Sequence, residues 1–206
     1  MGELPSSGKE IPPLPESYDR LRDGTPVVLR PARLGDRGLV TDFLRRTSQE
    51  SIETRFFSPV SEDSALAEFV RTTDPSLALS LLLYTEVSNR CELVGHGEYV
   101  RDGPRAPAAE IAFLVTDAYH GRGVATVLLT HLARVARDHG IRTFRAMVLR
   151  ENYAMIEVFR GCGFPYAIEY RPDQVVVTLS IQDEPHPSFG PSPSLPSRPD
   201  LATVTP

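Results

Sequence analysis

The sequence predicts a domain of the α/β (α+β) class, and three observations predict it. Apolar residues between 23 and 182 recur with two periods, near two in some stretches and near 3.6 in others. Strand–helix–strand units occur only in the second half of that span. A strand of buried type runs directly into a Gly-x-Gly turn that opens an amphipathic helix.

Taken in order, residues 26–30 form a first strand and 36–48 a helix, with Leu39, Val40, Phe43 and Leu44 on one side. Residues 48–58 and 63–73 form short helices. The nearly continuous apolar run 77–84 is the pattern of a strand covered on both faces. Strands follow at 91–101 and 108–116, joined through Asp102-Gly103-Pro104. The clearest helix is 121–139: Val124, Leu128, Leu132 and Ala136 recur every fourth residue, and Leu129 and Val135 widen the stripe. Gly140 stands where a helix stop favours glycine. A strand at 141–149, a helix at 151–161 and a strand at 174–181 complete the domain. Residues 1–22 and 183–206 are rich in Pro and Ser and carry few periodic apolar residues. They cannot bury enough surface to offset ordering entropy, so both are expected to be flexible tails.

Composition narrows the function. The hydrophobic fraction of 41% and charged fraction of 24% are those of an ordinary soluble protein. A net charge of -5 argues against general nucleic-acid or membrane-surface binding, which needs a basic face. An anionic ligand stays compatible, because clustered backbone N–H groups can hold one on an acidic protein. Of the 22 basic residues only Lys9 is a lysine. Cys91 and Cys162 are too few for a disulfide framework and too isolated for zinc, and no metal is expected. No leader-like segment or run of ~18 apolar residues is present, so a reducing cytoplasm is the expected location.

The chemistry centres on His120-Gly121-Arg122-Gly123-Val124-Ala125. Glycine lets the backbone approach a ligand closely, and the first helical N–H groups lack intrahelical partners. An anion there gains from those donors and from the helix dipole. A Gly-rich helix start with no ligand is the competing reading. A P-loop needs a lysine that is absent, and a dinucleotide fingerprint needs glycine where Thr126 stands. Glu110 lies among Ile111, Phe113, Leu114 and Val115. It is either a salt-bridged or strand-end carboxylate, or a base whose pKa burial would raise toward neutrality. Glu98, on the preceding strand, is the second candidate base.

The stretch Ala109-Glu110-Ile111-Ala112-Phe113-Leu114-Val115, followed by the glycine turn, resembles motif A of the GNAT superfamily of N-acetyltransferases, with His120 replacing the usual Gln or Arg. Residues 151–164 resemble a second GNAT block: Asn152 and Gly163-Phe164 agree, and Phe159 stands where many members carry Tyr. The resemblance covers roughly residues 24–182. It implies a mixed, mostly antiparallel central sheet flanked by helices, and acetyl-CoA as the co-substrate. By the same resemblance Phe113, Leu114 and Val115 would meet the pantetheine arm. His120, Gly121, Arg122, Gly123, Val124, Ala125 and Thr126 would hold the diphosphate, and Asn152 and Phe159 would also bind the cofactor. Glu110 would be the general base, taking a proton from a primary amine directly or through water. Tyr153 and Tyr119 are the hydroxyls that could replace the missing acid.

Val28-Leu29-Arg30-Pro31-Ala32 with Gly35-Asp36, and Ser48-Gln49-Glu50-Ser51 with Arg55-Phe56-Phe57, resemble Pat-type protein lysine acetyltransferases; the competing reading of the Arg-Phe-Phe run is simple packing. Three functions remain open: protein lysine acetylation, acetylation of a small amine, and an acyl-CoA-binding sensor of weak catalysis. A monomer or homodimer is expected.

Overall fold

The computed structural model describes residues 14–59, 61–69, 74–87 and 90–186. Residues 1–13 (with Lys9) and 187–206, most of the two expected tails, lie outside the described residues. The elements in chain order are β1 (Ser17–Arg20), β2 (Pro26–Pro31), a single 3-10 turn (Leu34–Asp36), α1 (Arg37–Arg46), α2 (Gln49–Phe56), α3 (Glu62–Phe69), β3 (Ala78–Val87) and β4 (Arg90–Arg101). They continue with β5 (Ala108–Val115), a 3-10 turn (Asp117–Tyr119), α4 (Val124–Asp138), β6 (Thr143–Leu149), α5 (Tyr153–Arg160), β7 (Tyr166–Tyr170) and β8 (Gln174–Ser180).

The strands make one eight-stranded sheet in the order β1-β2-β3-β4-β5-β6-β8-β7. Every neighbouring pair is antiparallel except β5 and β6, which are parallel. The expected fold class is the one observed.

Alternation along β3 splits its apolar run between two cores. Leu79, Leu81 and Leu83 join Tyr99, Ile111, Phe113 and the α4 stripe Leu128, Leu129, Leu132 and Ala136 on one face. Leu82 and Tyr84 join Leu93, Leu114 and residues of α1 and α3 on the other. That two-sided burial is why the sequence shows a run there and not an alternation. Caps set the helix starts: Ser48 Oγ accepts from Ser51 N, and Asn152 Oδ1 accepts from Met155 N. Gly140, at φ 78°, ends α4 as its sequence position suggests.

Two strands were not foreseen. Residues 17–20, assigned above to the N-terminal tail, form β1, in register with β2 from Ser17↔Leu29 to Arg20↔Pro26. β7 is an edge strand whose side chains stay largely exposed, so it carries no alternation to read. The helix expected from residue 121 begins at Val124, because Gly121 and Gly123 both take left-handed backbone angles of 72° and 93°.

Helix α4 lies close on β4 because β4 offers glycine there. A Cβ at Gly95 would stand 2.5 Å from Val124 Cγ1 and 3.3 Å from Leu128 Cδ1. Val124 is stiff at χ1 and cannot swing clear. We therefore expect Gly95→Ala to cost about 1–3 kcal/mol, the usual cost of overpacking. In a thermal melt that is a fall of roughly 2–10 °C. Gly38→Ala, in α1 with open space around it, should leave the melting temperature unchanged or slightly raised.

Candidate active site

The site exists because β5 and β6 part. Their register holds for three pairs only, Ala108↔Thr143, Ala109↔Phe144 and Glu110↔Arg145. Residues 111–115 stay paired to β4 on one edge but face no β6 partner on the other. The gap is a cleft of about 1120 Å³ walled by 110–115 of β5, 146–149 of β6, the turn 119–126 and the first turn of α5. A free strand edge presents unpaired N–H and C=O groups, which suits an extended ligand carrying amides.

Beyond Val115, at the parted end of that edge, the chain turns into α4. Gly121 and Gly123 hold angles that favour glycine, and Gly123, Val124, Ala125 and Thr126, at the start of the 15-residue helix, line the cleft. The fit is to a phosphate-bearing, extended molecule. His120 Nε2 lies 3.0 Å from Val115 O, and a carbonyl only accepts, so Nε2 carries the proton and donates there. The donor expected of His120 toward a phosphate is thus engaged with the end of β5.

Asp117 ties this turn to α2. Its carboxylate accepts from Ser48 N at 2.8 Å, Ser48 Oγ at 2.7 Å and Ser51 Oγ at 2.9 Å. Desolvation alone would raise its pKa, but the hydrogen bonds from Ser48 and Ser51 outweigh it and hold the group at about 2. The charge also sits at the positive end of α2. The segment leading into the glycine turn and the helix bearing Arg55 are therefore fastened together.

A smaller cavity of about 370 Å³ opens beside the cleft, and Arg55, Glu68, Glu110, Ile111 and Ala112 line both. Val100 faces Glu110 and Glu98 faces Ala112 across the β4–β5 ladder, so the two glutamates share a sheet face as diagonal neighbours, about 7–8 Å apart at the backbone. Glu98 is buried, with Oε1 2.5 Å from Arg55 Nη2, which also meets Glu68 at 3.1 Å. Glu110 is exposed at the mouth of both cavities. The burial expected of it is not found. Its apolar neighbours Ile111 and Phe113 point to the opposite face, into the α4 core.

All the other sequence-predicted residues line the cleft except one: Phe113, Leu114, Val115, His120, Gly121, Gly123, Val124, Ala125, Thr126, Asn152 and Phe159. Phe159 is buried against Phe113, ring centroids 6.3 Å apart. Arg122 is the exception. Its guanidinium turns to Asp23 (Nε–Oδ2 2.8 Å), Thr25 Oγ1 (2.9 Å) and the Tyr119 ring (4.3 Å). Tyr119 is buried beneath it, whereas Tyr153 is 73% exposed on the cleft wall. The sequence alone did not reveal Asp117 or the Arg55–Glu98 pair, since each is joined to its partner only by the fold. Arg55, Phe56 and Phe57 divide between the two roles weighed for them: Phe56 stacks on Phe69 at 6.1 Å, and Arg55 enters the site.

A family model described as acetyltransferase (GNAT) family matches residues 45–164. Acetyltransferase Pat of Mycolicibacterium smegmatis is 30% identical over 175 residues, 85% of this chain and 50% of that protein. An acetyltransferase of Pseudomonas aeruginosa is 29% identical over 147 residues, 71% of this chain and 78% of that protein. Among solved structures, the GNAT domain of the Streptomyces lividans protein titled PAT superposes with a TM-score of 0.71 at 34% identity, covering 80% of this chain and 96% of that one. A cAMP-binding acyltransferase from Mycobacterium smegmatis superposes at 0.55 with 25% identity, over 91% of this chain and 51% of that one. The chain thus spans about half the length of the mycobacterial relatives it matches.

The Asp117 contacts carry a pH signature. A carboxylate whose folded pKa is depressed to about 2 contributes stability that is present above its unfolded value near 3.8 and lost as pH falls through 2. The melting-temperature gap between wild type and Asp117→Asn should be constant from about pH 7 to 5 and shrink below about pH 4. A gap that widens on acidification would contradict the assignment.

Proposed function

The chain belongs to the acetyltransferase (GNAT) family, and from that premise we propose that it acetylates a primary amine, most directly a protein lysine side chain, with Glu110 as general base. It is an N-acetyltransferase, and its family uses acetyl-CoA as donor. The observation that carries the finer reading is the position of Glu110 at the junction of two cavities. One has the shape and amide-rich edge for the donor; the other is walled by carboxylates.

When bound, acetyl-CoA supplies an acyl carbon made electrophilic by its thioester. The turn 121–126 holds its phosphates, and the open edge of β5 takes up the amides of its arm. The smaller cavity counts Glu68, Glu98, Asp102 and Glu110 against Arg55 and Arg101. That balance favours a cation, as an ammonium is. A free lysine has a pKa of ~10.4 and is not nucleophilic until it loses a proton. Glu110, exposed at the mouth, is placed to accept that proton, whereas Glu98 is committed to Arg55. The amine nitrogen then bonds to the acyl carbon as the carbon–sulfur bond breaks, its second proton passing to the departing thiolate or to solvent, and a backbone N–H near Leu114 or Val115 meets the carbonyl oxygen. Thiols ionise near ~8.5, so the thiolate departs without a dedicated acid at Phe159.

The lysine assignment rests on the likeness of residues 28–36 and 48–57 to Pat-type enzymes and on the open mouth, where Phe57, Met147 and Tyr153 are exposed around the cleft. An open, partly apolar rim suits a side chain presented by a macromolecule.

Glu110→Gln should lower kcat by roughly 10²–10⁴-fold, the usual worth of general-base catalysis, and leave the calorimetric Kd for acetyl-CoA unchanged. An active variant would remove Glu110 from the mechanism. Labelled acetyl-CoA supplied to the enzyme in a lysate should mark protein bands that resist small-molecule removal; label confined to the small-molecule fraction would replace lysine by a small amine.

A further inference from the structure

We propose that Arg22, in the turn between β1 and β2, is a phosphate-binding residue of the acetyl-CoA site, reaching the ligand across Gly123. The proposal rests on the donor reading given above and adds to it a residue from a part of the chain remote from the glycine turn.

Three observations place it there. Arg22 N donates to Arg122 O at 3.0 Å, so the β1–β2 turn is fastened to the phosphate turn by main-chain contact. The Arg22 side chain then runs over Gly123: a Cβ there would lie 3.0 Å from Arg22 Cγ and 3.5 Å from both Cδ and Nε. Glycine at 123 thus serves two needs, a φ of 93° and room for this arginine. Finally, Arg22 lines the cleft and has no carboxylate partner among the described residues.

The neighbouring charges make the contrast. Arg122, which belongs to the motif itself, is neutralised by Asp23, whose carboxyl is held at about 2 by hydrogen bonds from the Thr25 hydroxyl and amide and from Arg122. Arg55, the other arginine on the cleft wall, is bound to Glu68 and Glu98. Elsewhere the wall bears Glu50, Glu151 and Glu157. With Glu68, Glu110 and Asp117 added, the wall is net acidic even counting both arginines, so a ligand with several phosphate charges depends on local donors, and Arg22 is the guanidinium at the glycine turn with no carboxylate partner among the described residues. Arginine's planar fork of donors matches phosphate oxygens, and the helix amides beneath supply the remaining hydrogen bonds. Asp23 and Arg22 thereby divide the work: the first anchors the turn by taking Arg122 away, and the second faces the ligand.

The test uses Arg22→Ala and Arg22→Lys in the full chain, with steady-state kinetics on three acyl donors. The KM for acetyl-CoA should rise roughly 10- to 100-fold in Arg22→Ala, the size of one charge-assisted hydrogen bond, with kcat little changed and Arg22→Lys intermediate. S-acetylpantetheine lacks every phosphate, and with it wild type and Arg22→Ala should be equal. Acetyl-3′-dephospho-CoA separates the two phosphate sources. A penalty that persists assigns Arg22 to the diphosphate, and one that vanishes assigns it to the 3′-phosphate. An unchanged KM for acetyl-CoA, or an equal loss with S-acetylpantetheine, would overturn the proposal, the latter by showing a merely structural arginine. Wild-type chain that fails to bind acetyl-CoA at all would overturn both this proposal and the reading on which it rests.

Discussion

The loss of pairing between β5 and β6 after Glu110 is the constraint on which the site depends. A continuous parallel ladder would satisfy the backbone of 111–115 and leave no cleft. Instead the strands touch at three residue pairs and diverge, and the groups freed along β5 need a partner from outside the sheet. Helix α4 is held hard on β4 through Gly95 and Gly97, so its first turn sits at the end of that free edge. Donor groups along the strand and at the helix start therefore line one continuous channel, with Glu110 at the fork.

Charge is distributed to match. The acceptor side gathers carboxylates about Arg55, while the glycine turn keeps its amides and, by the inference above, Arg22 for phosphate. Asp117 joins the two halves. Its bonds to Ser48 and Ser51 fix the start of α2, so the arginine two turns along that helix is positioned relative to the glycine turn. On the proposed function, an acidic protein would hold a polyanionic donor through local, directional contacts, against which its net charge acts weakly through solvent.

Much of this was legible in the sequence. The fourfold spacing of Val124, Leu128, Leu132 and Ala136 identified α4, and the paired glycines before it identified the turn. The run 77–84 reads as covered on both faces, which holds from Leu79 to Tyr84, whereas Leu77 is exposed ahead of β3. What failed to show was whatever depends on residues distant in the chain. β1 is four polar residues at an edge, held not by β2 alone but also by α4, where His131 meets Asp19 at 3.1 Å and Arg134 donates to Ser17 at 3.3 Å. Arg122 looked like a ligand contact until Asp23, 99 residues earlier, was seen to claim it. Glu110 looked buried because its neighbours are apolar, yet those neighbours mostly point the other way. Local pattern reports periodicity and turn chemistry; it does not report which charges meet across a sheet.

The central claim, that the free edge of β5 and the opening turn of α4 together hold the donor, is tested most directly by amide hydrogen exchange with and without CoA. The account predicts that protection rises at both 112–115 and 122–126 on adding ligand, while the β2–β3 ladder is unaffected. Protection confined to other surfaces, or unchanged exchange at both segments under saturating CoA, would contradict it.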